Sequence, residues 1–324
     1  MGLALSLWPF GGKSSRSIPL KRRLRAWWEG YDVAAAPRRA KAAAEDGEEP
    51  PSRGVEDFDA MFEADKKKAS EWSPTRMKVA QGLWTPGFVV PGGAAYVEEL
   101  VNGCGLSAAE TMLEIGVGLG GGTRAIIGRF GNYVTGYERD ASLASEARKQ
   151  AITHNLDSKL EVINAEPDKL KLKKNYFRAA LVRDVLFTVE KKEALLEKVA
   201  TSLKEGQAQM VITDLLFDAK SEAPELQRWI AAEPQPVYPW SLDALKAALA
   251  KINVIPRTAE DESDRYRRMV IKAWKDYLDK VDSEMLTSEI GPQVVHEAEF
   301  WARRLAAIEA GVLQYVHVVG VRTV

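Results

Sequence analysis

The sequence predicts an α/β fold, a mostly parallel sheet with helices on both faces, preceded by an extension of a different kind. Two observations predict the sheet. From residue 111 onward, short runs rich in Val, Ile and Leu alternate with longer amphipathic stretches. A turn dense in glycine also follows the first of those apolar runs. A third observation sets residues 1–54 apart, because they show neither pattern.

The extension opens with "MGLALSLWPFGGK", too short and interrupted for a secretory signal. Next comes "KSSRSIPLKRRLRAWW", where Lys21, Arg22, Arg23 and Arg25 stand among Leu20, Leu24, Trp27 and Trp28. Such a segment suits an anionic membrane surface, an acidic patch on a partner, or a second copy of the chain. "AAAPRRAKAAAEDGEEPPSRG" reads as a linker, low in aromatic and branched residues. Residues 1–54 are therefore expected to be a basic arm and flexible linker, with the globular part at 55–324.

The elements follow in order. "TMLEIGVG" is a buried strand, with helical spacing from Gly121 to Phe130. "NYVTGYE" is a second strand, followed by the helix "ASLASEARKQAITHN". "LEVINAE" and "FRAALVRDVLF" are the third and fourth strands. The helix "KKEALLEKVATSLKEG" is expected to stop at Gly206. "AQMVITDLLF" is a fifth strand, "SLDALKAALAKI" a helix capped by Ser241, and "NVIPRTAED" a sixth strand. "SDRYRRMVIKAWKDYLDKV" and "QVVHEAEFWARRLAAIEAG" are long amphipathic helices, and "VLQYVHVVGVRTV" is a closing strand.

Composition narrows the function. A net charge of −1 over 324 residues argues against a dedicated nucleic-acid binder. Cys104 is the single cysteine, and His154, His296 and His317 are scattered, so no metal site is expected. His317 is placed on the exposed face of the last strand and given no chemistry. No apolar run has the length of a bilayer span, and the expected location is cytoplasmic, with the arm peripheral to the inner face of the membrane as an extension of that reading.

Ligands of such sheets bind at the carboxyl ends of the strands. At the first end stands Glu114-Ile-Gly-Val-Gly-Leu-Gly. Gly116, Gly118 and Gly121 fit the dinucleotide pattern G-x-G-x-x-G, with Glu138 about 20 residues on. The same loop suits S-adenosylmethionine, and the glycines alone do not choose. Glu114 separates the two: a carboxylate there repels a pyrophosphate and favours a cationic ligand. The other strand ends carry Glu138, Ala165-Glu166, Arg183-Asp184 and Thr213-Asp214.

"LEIGVGLGGG", "TGYER", "VRDVLF", "KEALLEKVATSLKEG" and "VITDLL" together resemble class I S-adenosylmethionine-dependent methyltransferases. They are most similar to the phosphoethanolamine N-methyltransferase-like branch, and the resemblance runs from about residue 70 to the end. It implies a Rossmann-like seven-stranded sheet with an antiparallel last strand and a helical cap. It divides the globular part into an N-terminal lid at 70–110, a cofactor-binding core at 111–262, and cap helices with the last strand at 263–324. It implies a methyltransferase using S-adenosylmethionine. Gly116, Gly118 and Gly120 would lie against the methionine part, Glu138 would hold the ribose, Ala165 and Glu166 would face the adenine edge, and Arg139 would belong to the same cofactor site. Val89 and Val90, in "FVVPGG", would cover the cofactor. Arg183 and Asp184 would be the catalytic pair beside the methionine end and the acceptor.

The departures from that pattern concern the acceptor. Thr188 stands where the branch carries a histidine, and Trp72 where it carries that histidine's tyrosine partner. Leu215, Ala231 and Gln235 stand where further tyrosines and an arginine are expected at the phosphate. Trp72, Trp84, Phe88, Tyr238 and Trp240 fall in segments the family places around its substrate, and aromatic walls suit an apolar or flat acceptor or a cation. The expectation is methyl transfer to N, O or C of a small-molecule or lipid-like acceptor other than phosphoethanolamine. The alternative is a catalytically silent scaffold that keeps the cofactor loop.

Overall fold

Each strand that the alternation predicts is present, and helices cover both faces of the sheet they form. The computed structural model describes residues 72–281, 288 and 290–323; the arm expected over 1–54 lies outside the described residues. The elements begin with α1 (Pro74–Trp84), α2 (Gly93–Val101), β1 (Thr111–Ile115), α3 (Gly121–Phe130) and β2 (Tyr133–Glu138). They continue with α4 (Ala141–Thr153), β3 (Leu160–Asn164), β4 (Ala179–Arg183), α5 (Lys192–Ser202) and β5 (Gln209–Leu216). The last are α6 (Pro224–Ala232), α7 (Leu242–Lys251), β6 (Val254–Asp261), α8 (Ser263–Lys280), α9 (Gly291–Glu309) and β7 (Gln314–Arg322).

The spatial order is β3-β2-β1-β4-β5-β7-β6. β1 to β5 pair in parallel, and β7 runs antiparallel to both β5 and β6. The chain winds outward from β1 through β2 to β3, then returns to place β4 on the other side of β1. That reversal opens a crevice at the carboxyl ends of β1 and β4.

Local chemistry explains the elements. Along β4, Ala179 and Leu181 enter one core while Ala180 and Val182 enter the other, the period of two of a strand buried on both faces. Helix α4 is capped by Asp140, which accepts from the amides of Ser142 and Leu143 at 2.9 and 3.0 Å. Ser241 caps α7 as expected, accepting from Ala244 N at 3.1 Å. The long helices bury one stripe each, Tyr266, Val270, Trp274 and Tyr277 on α8, and Val294, Ala298, Trp301 and Leu305 on α9. They pack against α1, and α9 also packs on α6.

Some boundaries differ from the expected ones. The fourth strand stops at Arg183, because Asp184 adopts a left-handed φ of +54° and Leu186–Thr188 form a short 3₁₀ turn. Helix α5 ends at Ser202, where Leu203 turns extended, and Gly206 belongs to the turn beyond. β6, the sheet's edge, slips register between Pro256 and Thr258, since a proline has no N–H for the ladder. Among the described residues no helix is long and apolar enough to cross a membrane.

Candidate active site

At the crevice between β1 and β4 lies a cavity of about 180 Å³. Its wall brings together Gly116, Gly118, Glu138, Arg139, Ala165, Arg183, Asp184, Val89, Val90, Trp72, Phe88 and Thr188, residues the sequence scatters over more than a hundred positions.

The glycine loop has a steric reason. Gly116 has φ +92°, and a Cβ there would sit 2.5 Å from the Arg183 carbonyl oxygen. Gly118 has φ +59°, and its Cβ would press to 3.1 Å from Val89. Any side chain would therefore separate the loop from β4 or from the segment that covers it. Glu138, at the end of β2, holds the loop from below: Oε2 accepts from Gly118 N at 2.8 Å and Oε1 from Asp140 N at 2.9 Å. Burial pushes its pKa up to about 7 against those two donors.

The rim is a polar clamp. Arg139 donates to Glu166 Oε2 at 2.9 Å and to Thr188 Oγ1 at 2.9 Å, joining the ends of β2, β3 and β4. On the other side Arg183 donates to Pro91 O at 2.8 Å, so the buried guanidinium fastens the Val89–Pro91 segment over the cavity. Its Nε has no hydrogen-bond partner and lies 4.0 Å from Asp184 Oδ2. Asp184 accepts from Thr213 Oγ1 at 3.3 Å, and burial raises its pKa.

Asp214 anchors this corner. Its Oδ2 accepts from the amides of Val185 and Leu186 at 3.0 and 2.6 Å, and its Oδ1 from those of Phe187 and Leu215 at 2.9 and 2.8 Å. Burial pushes its pKa up to about 7, while four amide donors mark it as an anion. The turn carrying Asp184 to Thr188 thus hangs on a single carboxylate.

Several expected site residues stand away from the cavity wall. Glu114 faces α3, its Oε2 accepting from Thr123 Oγ1 at 2.6 Å, because alternation along β1 turns it behind the loop. Gly120 is the left-handed N-cap of α3, one step past the ligand-facing part of the loop. Glu166 is drawn out to the rim by Arg139, and the Ala165 amide is donated to Glu138 O at 3.1 Å. Trp84 packs edge-on against Trp301 at 4.5 Å in the core. Tyr238 and Trp240 lie over Lys192 at 5.3 and 6.0 Å, on a loop behind the 3₁₀ turn. Ala231 is exposed on α6 and Leu215 is core. His317 is half-buried rather than exposed, its Nδ1 3.8 Å from Glu262.

Glu114 carries a testable consequence. Burial pushes its pKa up to about 7, above the ordinary value near 4.5. The sign follows from linkage: the folded protein holds this proton more tightly, so the stability it contributes is complete below the unfolded value and is lost as pH rises through about 7. Glu114→Gln, which imitates the protonated acid, is expected to gain on the order of 3 kcal/mol over wild type at about pH 8 and less than about 1 kcal/mol at about pH 5. Urea unfolding at both pH values checks it; equal differences at the two would show that Glu114 does not titrate in this range.

Sequence reasoning missed a second buried cluster. Arg304 on α9 donates to Glu233 Oε1 at 2.5 Å and Tyr266 Oη at 3.1 Å, and lies over Phe300 and Trp301 at 4.8 and 4.9 Å. Tyr266 stacks on Tyr315 at 4.1 Å, and Tyr315 and Arg304 both act electrostatically on Asp184. A charge on a helix of ordinary amphipathic spacing gives no local signal of a partner 71 residues away.

Comparison with known proteins agrees with this geometry. Residues 113–210 match the model of a methyltransferase domain family. Phosphoethanolamine N-methyltransferase 3 of Arabidopsis thaliana is 26% identical over 201 residues, 62% of this chain and 40% of that protein. Phosphoethanolamine N-methyltransferase 2 of Caenorhabditis elegans is 24% identical over 138 residues, 42% and 31% of the two chains. This chain thus spans less than half the length of those relatives. Among solved structures, Haemonchus contortus phosphoethanolamine N-methyltransferase 2, in complex with phosphomonomethylethanolamine and S-adenosylhomocysteine, superposes with TM-score 0.71 at 17% identity, covering 80% of this chain and 60% of that one. Geranyl diphosphate C-methyltransferase of Streptomyces coelicolor superposes with TM-score 0.57 at 15% identity, covering 78% and 99%. At these identities the superpositions establish the fold.

Proposed function

From the premise that this chain carries a class I S-adenosylmethionine-dependent methyltransferase domain, we propose that the cavity binds S-adenosylmethionine and directs methyl transfer to a small-molecule or lipid-like acceptor. The observation that carries the reading is the meeting of Gly116, Gly118 and Glu138 with Arg183 and Asp184 at the switch point.

The residues fit the cofactor. A positive-φ glycine cradle lets the ligand approach the backbone, a buried carboxylate at the end of β2 suits a pair of ribose hydroxyls, and the unpartnered Nε of Arg183 offers a donor to an amino-acid carboxylate. Val89 and Val90 cover it, and Ala165 with Leu143 and Leu170 provides an apolar slot for a base. When bound, the cofactor supplies an electrophilic methyl group on a sulfonium. The protein's own part is alignment, water exclusion by the Arg183–Pro91 fastening, and a carboxylate at Asp184.

The acceptor end is lined by Trp72, Phe88, Asp184, Val185 and Thr188. Arg139 is engaged with Glu166 and Thr188, and Arg183 with Pro91 O while its remaining Nε is assigned to the cofactor carboxylate, so neither is held ready for the guanidinium or ammonium contacts that phosphate recognition wants. This supports an acceptor other than phosphoethanolamine, in contrast to the relatives' names. Calorimetric titration with S-adenosylmethionine and NAD, then cofactor turnover with amines, phenols, lipids and phosphoethanolamine, tests it. Stabilisation by NAD alone removes the cofactor, and efficient methylation of phosphoethanolamine reverses the acceptor reading.

One observation favours a second reading. Thr188 replaces the branch's histidine and its hydroxyl is spent on Arg139 and Val185 O, as suits a silent scaffold that keeps its cofactor loop. Tight cofactor binding with no turnover across the panel would select it.

A further inference from the structure

Independently of the methyltransferase reading, we propose that Glu260, Glu262 and His317 form a binding site for one divalent transition-metal ion of the zinc class, where β6 and β7 meet the start of α8.

The topology builds the set. β6 and β7 are antiparallel, and their register places Glu260 directly opposite His317. Residues opposed in this way project to one face of the sheet, with Cβ atoms about 5 Å apart. Glu262 stands two residues beyond Glu260, so alternation returns it to that face. Its amide donates to Tyr315 O at 2.8 Å, which carries the pairing with β7 one step past the end of β6. One ligand atom from each of the three side chains then lies within 4.8 Å of the others, and His317 Nδ1 is 3.8 Å from Glu262 Oε1. Around an ion with ligands at about 2.1 Å, tetrahedral neighbours are about 3.4 Å apart, so small side-chain rotations close the set. The scatter of histidines in the sequence conceals it, because α8 and α9 separate β6 from β7 along the chain.

The His317 ring is unengaged. Its Nε2 is buried without a hydrogen-bond partner, and 3.8 Å is too long for a hydrogen bond at Nδ1. A neutral imidazole keeps one lone pair, and a polar group left unused in this way is a mark of a missing ion or water. The charges agree. Those acting on His317 are Glu262, Glu260, Glu99 and Arg265. Three carboxylates against one guanidinium leave an excess of two negative charges, which a divalent ion neutralises. Arg265 donates twice to Glu99, at 2.9 and 2.6 Å, so Glu262 Oε1 can turn its second lone pair to an ion without releasing the guanidinium. Glu260 is exposed and leaves the ion a way in. One imidazole with two carboxylates suits zinc, manganese or iron(II), and offers nothing special to magnesium, which prefers oxygen ligands and water.

None of the three residues lines the cavity. Tyr96 Oη, on α2, donates to Glu262 Oε2 at 2.9 Å, and α2 packs on α3, the helix that the glycine loop opens. An ion here clips the margin of the sheet to the helix layer behind that loop.

Calorimetric titration of the chelator-stripped full chain tests the site. Zn²⁺ is expected to bind and to raise Tm, and Mg²⁺ at the same concentration to do neither. His317→Ala and Glu260→Gln are each expected to weaken Zn²⁺ binding roughly tenfold or more. His154→Ala, which removes an exposed imidazole beyond α4, is expected to leave it unchanged. Cobalt(II) in place of zinc is expected to give visible absorption bands that His317→Ala abolishes. Equal metal-free Tm values for Glu260→Gln and wild type verify that the fold is kept. Absence of Zn²⁺ binding, or binding that either variant leaves intact, overturns the site. Loss of S-adenosylmethionine binding in the same wild-type protein would bear on the methyltransferase reading alone.

Discussion

Asp214→Ala is expected to cost the protein on the order of 3–5 kcal/mol, a large part of the total stability of an ordinary domain. The substitution strips the acceptor from the amides of Val185, Leu186, Phe187 and Leu215 at once, at a fully buried position. Each amide left unpaired in the interior costs about 1–3 kcal/mol, partly recovered as the turn relaxes. Asp214→Asn is expected to fall between, since its oxygen still serves Phe187 and Leu215 while its amide confronts Val185 and Leu186. Urea unfolding midpoints for the three proteins decide it. An alanine variant within 1 kcal/mol of wild type, on the order of ordinary surface substitutions, would show that the turn is held by other contacts.

Glu138→Ala is expected to weaken S-adenosylmethionine binding by on the order of a hundredfold or more, from roughly 1.5–3 kcal/mol for each charged hydrogen bond removed. In the proposed site the carboxylate has two tasks, the ribose hydroxyls and the Gly118 amide that it already holds, so its loss is expected to be felt beyond the ribose. Its pKa is raised to about 7 by burial, and the ligand's hydroxyls donate to the charged form. Affinity should therefore be complete above that value and decline as pH falls through it. Glu138→Gln should bind weakly without that pH dependence. Calorimetric titration across about pH 6 to 8.5 makes the comparison; a pH-independent wild-type affinity would remove the carboxylate from the ribose.

These residues differ in how visible they are in the sequence. The glycines, Glu138 and the Arg183–Asp184 pair are legible because each sits at the end of an apolar run, and strand ends in a parallel sheet converge on one line. The direction in which a strand-end residue points is harder to read. Glu114 was expected at the ligand, but one residue separates it from the first glycine, and β-alternation sends it into α3. Trp84, Tyr238 and Trp240 carry the composition of a binding wall yet serve packing, since an aromatic ring fills a core as readily as it lines a pocket. Arg304, Tyr315 and Tyr96 were missed for the opposite reason. Their neighbours come from α6, α8, β4 and β6–α8, brought together only by the roof that α8 and α9 form. No local pattern announces a contact made by topology.

The slip in β6 bears on how copies of this chain meet. A sheet that ends in an uninterrupted strand offers a row of bare amides and carbonyls, an invitation to fibrous stacking. Here the slip between Pro256 and Thr258 breaks the rhythm of the strand, and Arg257, Glu260 and Asp261 scatter charge along the border. A neighbour arriving edge-on finds no continuous ladder to extend. This margin of the sheet resists extension by a second copy, and the opposite margin, β3, is the one left with an uninterrupted register.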